Sequence, residues 1–360
     1  MANTAVYGFH TLEDIFNNQL STLDIPVVQD ALFAAMEAYA AEWSGMMDLL
    51  IERTTQPRER VRMPGSGTLQ PLDDNGVPVP TRSVASYMTA YPMYNAGDAL
   101  ATTRKARAKM TVGQLNANVA EVMRKDYDWN IRHALAAIFD SSSYDFVDEN
   151  DDIGTLTILP LANGDTVVYP KVGGAPATDT HYLADANAIS DSNNHIATII
   201  DELEEHPENS GLIVVYVASD LVPSIEALSD FIPARSTTGL VQYGTATDLT
   251  ADEARAFIGF GDKIIGTVGD ALIVRARRIP STYMIGVATG AGPVLGMREE
   301  PEAALQGLSA VPVVVNSNIE RVDFYRHAGY GVKRRYAAVV FRVGNGSYAV
   351  PTGFDAPLSA

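Results

Sequence analysis

The side chains that most often perform chemistry are present in this sequence, but none recurs at a spacing that defines a site. The chain has no Cys, which excludes disulfides, thiolate metal ligands and Cys nucleophiles. It also lacks the phosphate-binding loop, the serine-hydrolase elbow and the H-E-x-x-H zinc motif. The histidines are scattered, and we expect each to lie at the surface or at a helix end. They are His10, His133, His181, His195, His206 and His327.

Three weaker patterns come close to known sites. Gly259-Phe260-Gly261 begins like a dinucleotide-binding fingerprint, but the next glycine, Gly266, comes two positions too late. Residues 148–152 alternate as in a calcium loop, yet the later Gly and Glu of such a loop are missing. The acids at 201–205 could supply a catalytic pair, although acids crowded at a helix end usually form a solvated face. We therefore predict no catalytic, cofactor-binding or metal-binding residues.

The charge is distributed unevenly along the 360 residues. There are 26 Lys and Arg against 44 Asp and Glu, a formal net charge of −18, which argues against a free-standing nucleic-acid-binding protein. The window 140–260 holds three basic and 21 acidic residues, whereas 53–109 holds nine basic and four acidic ones. Such asymmetry either serves solubility alone or marks surfaces that face different neighbours, including other copies of the chain.

The densest basic clusters are candidates for contact with a neighbour. They lie in 53–109, at 275–278 and at 333–335. They could face nucleic acid or pair with acidic groups of a neighbouring copy, and the negative charge of the chain favours pairing. An aromatic residue of the N-terminal segment joins them as a candidate. The predicted contact residues are Arg58, Arg60, Arg62, Arg82, Arg275, Arg277, Arg334, Arg335 and Trp43.

Hydrophobic periodicity predicts two long helices with an extended segment between them. The helices span 26–52 and 111–139, and the second opens with the capping box Thr111–Gln114. Pro and Gly residues exclude helix from most of the intervening segment. Asp74-Asn75-Gly76 predicts a hairpin turn joining strands near 58–62 and 81–87, with a disordered linker as the alternative.

The rest of the chain alternates between short helices and strands and then becomes rich in strands. Asp191 is a candidate cap for a helix that stops at His206-Pro207. No apolar run is long enough to span a bilayer and no signal peptide opens the chain, so we expect a cytoplasmic protein. Further helices are predicted at 221–228 and 250–260, and strands at 212–217, 263–268, 271–277, 311–315, 321–327 and 336–341.

In this order the elements resemble the major capsid protein of tailed bacteriophages, whose shell fold is shared with encapsulins. The resemblance rests on Thr111–Phe139 as a spine helix, on 264–285 as axial strands, and on 318–340 at the end of the chain. It implies an α+β capsid shell fold in which an extended two-stranded loop, a peripheral domain and an α/β axial domain follow an N-terminal arm. The implied boundaries are 1–52 for the arm, 53–109 for the loop, 110–175 for the peripheral domain with its spine helix, 176–310 for most of the axial domain, and 311–360 for C-terminal strands of both domains.

The resemblance also implies a function. Such proteins assemble through hexamers and pentamers into an icosahedral shell around phage DNA, with no enzymatic activity and no cofactor. The implied partners are many other copies of the chain, a separate scaffolding protein, a portal and packaged double-stranded DNA contacted without sequence specificity. A decoration protein is a further candidate, and no membrane is involved. The expected location is the virion capsid after assembly in the host cytoplasm.

Two alternatives and one departure accompany this interpretation. The nearest alternative is an encapsulin-like nanocompartment that holds a cargo enzyme, and the other is a soluble acidic enzyme whose site is built from distant residues. Some relatives link their subunits covalently through a Lys of the extended loop. This chain has no Lys between Thr54 and Arg104, so we expect no such bond.

Overall fold

A computed structural model describes most of the chain. It covers residues 50–63, 76, 86–148, 153–237, 240–243, 247–250, 263–316 and 319–358. The helix predicted over 26–52 lies outside these residues except for its last three, and there Ile51–Thr54 forms a strand instead. Trp43, Arg82 and nearly all of the helix predicted at 250–260 also lie outside the described residues.

The described residues form two compact units. The smaller unit contains Tyr94–Asn130 and Glu300–His327. The larger unit contains Ile131–Glu299, the chain from Ala328 onwards and the described residues before Tyr94. The boundary between the two units falls within the helix Val112–Phe139 and within the strand Ile319–Val332.

Four α-helices lie in the described part of the chain. None of them is long and apolar enough to cross a membrane. The helices are α1 (Arg104–Lys109), α2 (Val112–Phe139), α3 (His195–Glu204) and α4 (Val222–Glu226).

Local sequence explains where two of these helices begin. Helix α2 confirms the predicted spine, and its capping box is formed: Thr111 N donates to Gln114 Oε1 at 3.1 Å, and Gln114 N donates to Thr111 Oγ1 at 3.3 Å. The predicted cap of α3 is wrong. Asn194, not Asp191, caps this helix, because Asn194 Oδ1 accepts hydrogen bonds from the first free backbone N–H groups.

The described residues also contain nineteen strands. They are β1 (Ile51–Thr54), β2 (Arg58–Arg62), β3 (Ser86–Ala90), β4 (Tyr94–Thr103), β5 (Tyr144–Asp148), β6 (Gly154–Ile158), β7 (Tyr182–Asp185), β8 (Ile213–Val217), β9 (Phe231–Pro233), β10 (Arg235–Thr237), β11 (Leu240–Tyr243), β12 (Thr247–Thr250), β13 (Lys263–Val268), β14 (Ala271–Arg275), β15 (Tyr283–Ala288), β16 (Leu295–Glu299), β17 (Leu308–Asn316), β18 (Ile319–Val332) and β19 (Ala338–Val343).

A mixed seven-stranded sheet forms the core of the larger unit. Its order is β7-β19-β15-β8-β14-β13-β9, and every residue of the central strand β8 is buried, as its continuous apolar run predicts. Helix α3 packs on this sheet through Ile199 and Leu203. Gly286 on β15 permits this packing, because a Cβ there would overlap Ile199. The strands predicted at 212–217, 263–268 and 271–277 are confirmed.

The remaining strands form smaller groups. In the smaller unit, β17 pairs antiparallel with the first part of β18, and β4, which the sequence analysis did not predict, also pairs with β18. In the larger unit, the end of β18 pairs with β16, and β16 pairs in parallel with β1. Hairpins β2–β3 and β5–β6 and the three-stranded sheet β10–β12 complete the set.

Buried ion pairs join distant parts of the chain within each unit. In the smaller unit, the Arg326 guanidinium donates to both carboxylate oxygens of Asp126, at 2.8 and 2.6 Å. In the larger unit, Arg298 Nη1 donates to Asp148 Oδ2 at 2.5 Å. Asp148 therefore pairs with an arginine, and the rest of the calcium-like segment lies outside the described residues.

Four of the six histidines, His133, His181, His195 and His206, are buried. The expectation of a surface or helix-end position holds for His195 and His206, which lie at the two ends of α3, and is wrong for His133 and His181. His133 offers a test. Burial, together with the positive charge of Arg132, lowers its pKa to about 4. The unfolded state, with an ordinary pKa near 6.5, binds the proton first as the pH falls. The His133 contribution to stability is therefore complete above about pH 6.5 and is lost as the pH falls towards 4.

We expect His133→Gln to reduce the acid-induced loss of stability by about 3 kcal/mol between pH 7 and pH 4. Urea unfolding followed by circular dichroism at a series of pH values measures this loss in each protein. Parallel pH dependences for the variant and the wild type would contradict the assignment. The absolute stability of the variant does not affect the comparison.

Candidate subunit-contact surface

The hairpin β2–β3 carries three of the predicted contact residues. Its strands pair antiparallel, with Arg58 opposite Ala90 and Arg62 opposite Ser86. Successive side chains of a strand point to opposite faces, and here Arg58, Arg60 and Arg62 are all exposed. We call these three residues the arginine row. The strand predicted near 58–62 is confirmed, but its partner strand is Ser86–Ala90 rather than 81–87, and the predicted turn lies outside the described residues except for Gly76. The pairing places three guanidinium groups along one face.

The other face of the hairpin is fixed to the rest of the larger unit by apolar packing. Val61 packs against a buried cluster that includes Met63, Tyr87, Tyr169 and Tyr336. Burial of about half a dozen apolar side chains in such a cluster contributes several kcal/mol. The base of the hairpin is therefore firmly held.

Hydrogen bonds reinforce this attachment. Tyr87 Oη donates to the Lys333 carbonyl at 2.7 Å and accepts from the Arg335 backbone N–H at 3.1 Å. Thr89 Oγ1 donates to the Val332 carbonyl at 2.5 Å. Burial raises the pKa of Tyr87 far above its ordinary value, so the hydroxyl stays protonated and remains a donor.

Charged groups lie on the inner side of β2 as well. Glu59 lies 2.8 Å from Lys333 Nζ and accepts a hydrogen bond from Thr54 Oγ1 at 2.6 Å. Burial alone would raise the pKa of Glu59, but the hydrogen bonds from Lys333 and Thr54 outweigh it and hold the pKa below its usual value. Lys333 also donates to Glu52 at 2.8 Å. These pairs are satisfied within the chain, as is Arg58 of the outward-facing row, whose Nη2 donates to the Thr155 carbonyl at 2.8 Å.

A charged cleft of about 510 Å³ opens beside the arginine row. Four basic and two acidic side chains line it, so its balance is positive. Its lining includes Arg60, Arg62, Lys333, Arg334, Glu59 and Glu208, with Gly290 and Ala291 between them. A cleft of this size and charge suits an acidic segment of another protein chain.

The remaining candidates are divided between surface and interior. Arg277 is exposed beyond the end of β14, and Arg275 is half-buried on that strand. Arg334 is half-buried, donates to the Pro293 carbonyl at 2.6 Å and lies 3.6 Å from Glu52. Trp43 and Arg82 lie outside the described residues.

Arg335 corrects the sequence-based prediction. It is completely buried, and its side chain donates to the carbonyls of Pro160 and Leu161 at 2.7 and 3.1 Å. Its Nη2 also donates to Asn163 Oδ1 at 3.2 Å, and its Nη1 lies 2.8 Å from Asp165 Oδ2. The guanidinium therefore holds the loop 160–165 in place and has no exposed atom to offer a neighbour.

Acidic groups on the larger unit could complement the arginine row of another copy. Asp201 and Glu204 on α3 and Glu226 on α4 are exposed. They belong to the window that carries 21 acidic residues. Attraction between the two kinds of surface is long-ranged at low salt and screened at high salt.

One group of buried polar residues was not predicted. Asp179, His181 and His206 lie together in the larger unit, although 25 residues separate the two histidines. Glu205 pairs with Lys171 at 2.7 Å beside them. Burial and the nearby carboxylates of Asp179 and Glu205 raise the pKa of Glu202 to about 7. The sequence gives only a weak indication of this cluster. Asp179-Thr180-His181 comes directly before a strand, and His206 comes directly before Pro207.

Comparison with known proteins rests on structure. A scan against protein-family models found no match to this chain, and a search of curated proteins found none. A solved structure from Mycobacterium phage Patience, however, covers 98% of this chain and 97% of its own, with 21% identity and a TM-score of 0.64. The chain has the capsid shell fold of tailed bacteriophages.

Weaker likenesses to this capsid shell fold were found at TM-scores below 0.5. The mature capsid of bacteriophage PhiM1 shares 11% identity and a TM-score of 0.48, over 82% of this chain and 85% of that one. The SrpI encapsulin of Synechococcus elongatus shares 11% identity and a TM-score of 0.41, over 84% and 86%.

Proposed function

We propose that this chain is a major capsid protein that assembles through hexamers and pentamers into an icosahedral shell around phage DNA. The observation that carries the proposal is the arginine row on a firmly held hairpin, in a chain that has the capsid shell fold. The role of the protein is structural and not enzymatic. Many copies of the chain form the shell, which becomes the capsid of the virion after assembly in the host cytoplasm.

The charges of the described surface support this assembly. Each exposed ion pair contributes only about 0–1 kcal/mol, so a single contact between subunits would be weak. Repetition of the same contact around a closed ring multiplies this contribution. The net charge of −18 keeps free subunits apart until opposite surfaces meet in the correct orientation.

The domain assignment follows the same proposal. We assign 1–52 to the arm, 53–109 to the loop, 110–175 to the peripheral domain, 176–310 to most of the axial domain and 311–360 to the C-terminal strands. The seven-stranded sheet supports the axial assignment, because six of its strands come from 176–310 and β19 comes from the C-terminal segment. A scaffolding protein, a portal and a decoration protein remain proposed partners.

Electron microscopy of the purified chain tests the proposal. We expect rings of five or six subunits or closed shells at low salt. At about 1 M salt, where the Debye length falls to about 3 Å, we expect dissociation towards the 38.7 kDa subunit. Size-exclusion chromatography at both salt concentrations measures the change.

A monomer at both salt concentrations, even with the candidate scaffolding protein added, would contradict the proposed function. The contents of particles formed in infected cells distinguish the alternatives. DNA inside supports a phage head, whereas an enclosed enzyme would identify a nanocompartment.

A further inference from the structure

A buried cluster of Asp179, His181 and His206 has the geometry of a metal site. His181 Nε2 lies 3.0 Å from His206 Nε2. Asp179 Oδ2 lies 3.2 Å from His206 Nε2 and 3.7 Å from His181 Nε2. All three side chains are at least nine-tenths buried. The cluster takes no part in the arginine row.

The fold brings these residues together from two segments, 179–181 and the chain after α3. His181 directly precedes β7, and its backbone bonds to Ala162 and Val340. His206 follows the end of α3, where its N–H donates to the Leu203 carbonyl at 3.3 Å. The carbonyl of Asp179 accepts from the N–H of Gly164 at 2.6 Å. Backbone contacts therefore fix the positions of all three residues.

The hydrogen bonds of the two imidazoles determine which nitrogen carries the proton. His181 Nδ1 lies 2.7 Å from the Ala338 carbonyl, and His206 Nδ1 lies 3.0 Å from the Pro170 carbonyl. A carbonyl oxygen only accepts hydrogen bonds, so each Nδ1 must carry the hydrogen. In the neutral rings, both Nε2 lone pairs then point at one another across 3.0 Å.

The carboxylate of Asp179 adds a third acceptor to this pair. Among the described residues, Asp179 Oδ2 has an ion pair with Lys171 Nζ at 3.4 Å but no hydrogen bond of acceptable geometry. Buried acceptors without a donor are costly, so three that converge need a shared positive species between them. That species is either one trapped proton or a metal cation.

The distances within the cluster match a cation. Zinc binds imidazole nitrogen and carboxylate oxygen at about 2.0–2.1 Å, which places tetrahedral ligands about 3.3 Å apart. The three observed separations, 3.0, 3.2 and 3.7 Å, lie around this value. The Nδ1–carbonyl hydrogen bonds are the outer contacts that usually orient metal-binding histidines.

Neighbouring charges are compatible with a cation here. Glu205 Oε1 lies 3.8 Å from His206 Nε2, so this carboxylate or a water molecule could complete the tetrahedron. Lys171 Nζ lies 2.7 Å from Glu205 Oε1 and 3.4 Å from Asp179 Oδ2. Lys171 is shared between Glu205, which is nearer, and Asp179, so the Asp179 carboxylate is only partly neutralised and can balance part of the charge of the metal.

We propose that Asp179, His181 and His206 bind a divalent transition-metal ion, with zinc as the best fit. Imidazole ligands favour zinc over magnesium and calcium, which prefer sites made of oxygen alone. The ion ties the strand β7 to the end of helix α3 in a chain that has no Cys with which to form disulfides. This inference is independent of the proposed assembly function.

Metal analysis of the full chain tests the site. The protein, purified without chelator from zinc-supplemented medium, is expected to contain one zinc per chain by elemental mass spectrometry. Protein stripped with chelator and refolded with Co²⁺ is expected to show the visible bands of tetrahedral cobalt. Zinc at about 100 times its Kd should raise the Tm by about 4 °C.

Conservative variants locate the ion. Asp179→Asn and His206→Gln are expected to weaken zinc binding at least tenfold. His195→Gln is the matched control, because His195 is also buried but stacks on Phe341 outside the cluster. It should retain one zinc per chain. If a cluster variant fails to fold, the cobalt spectrum of the wild type still decides the question.

Two results would overturn the proposal. Wild-type protein without stoichiometric zinc and without tetrahedral cobalt bands would show that the cluster binds no such ion. Unchanged zinc binding by folded Asp179→Asn and His206→Gln would place the ion elsewhere on the chain.

Discussion

Replacing Arg335 with Met is expected to lower the free energy of unfolding by about 4 kcal/mol. Methionine fills much of the space but donates no hydrogen bond. The carbonyls of Pro160 and Leu161 then lose their side-chain donor, and Asp165 loses its cation. Each buried polar group left without its partner costs about 1–3 kcal/mol, and the two carbonyls contribute most of the loss because the Asp165 side chain is 31% exposed and regains hydration.

Urea unfolding of the purified chain measures this loss. Arg334→Met is the matched control, since it makes the same chemical change one residue away at a half-buried side chain. We expect the control to cost about 1 kcal/mol, the usual value of one hydrogen bond. Similar losses for both variants would show that Arg335 does not organise the loop 160–165.

Reversing the charge of the arginine row is expected to abolish assembly without unfolding the subunit. In the double variant Arg60→Glu, Arg62→Glu, two exposed attractive groups become repulsive towards acidic surface. Arg58 is left unchanged because its Nη2 also donates to the Thr155 carbonyl at 2.8 Å. A change of about 1 kcal/mol at each contact, repeated around a ring, should reduce the yield of particles at least tenfold.

The variant Arg60→Lys, Arg62→Lys is the matched control for this experiment. It keeps both charges and the alternation of the strand, so we expect it to assemble nearly as the wild type does. Particle yield is measured by size-exclusion chromatography and electron microscopy, with circular dichroism to verify folding. Normal yield from a folded Glu variant would remove the arginine row from the contact surface.

Local patterns in the sequence predicted the elements that depend on neighbouring residues. The capping box of α2, the strand β2 and the buried strand β8 each follow from a few adjacent side chains. The partner of β2 was placed too early in the chain, at 81–87 instead of Ser86–Ala90. Helix α3 shows the limit of such reasoning. Residues 190 and 193 form a closed bridge through their backbones, which delays the helix and gives the cap to Asn194 rather than Asp191.

Features that depend on distant contacts could not be predicted. Arg335 resembles its exposed neighbours in sequence, but the carbonyls that surround it come from about 170 residues earlier. The cluster of His181 and His206 requires the seven-stranded sheet and helix α3 to be in place first. Arg58, Arg60 and Arg62 are exposed because alternation in one short strand turns these three side chains outward, and their contact with a neighbouring copy stays a prediction.

The alternation on β2 also protects the hairpin from mispairing. A slip of one residue against β3 would exchange the two faces of the strand and turn Arg58, Arg60 and Arg62 towards the apolar cluster. Three guanidinium groups would then lose water without gaining partners, which makes that register prohibitively unfavourable. The three arginines proposed to contact a neighbour therefore also disfavour the shifted register. Each free subunit has β2 and β3 paired in the one register that keeps the arginine row exposed.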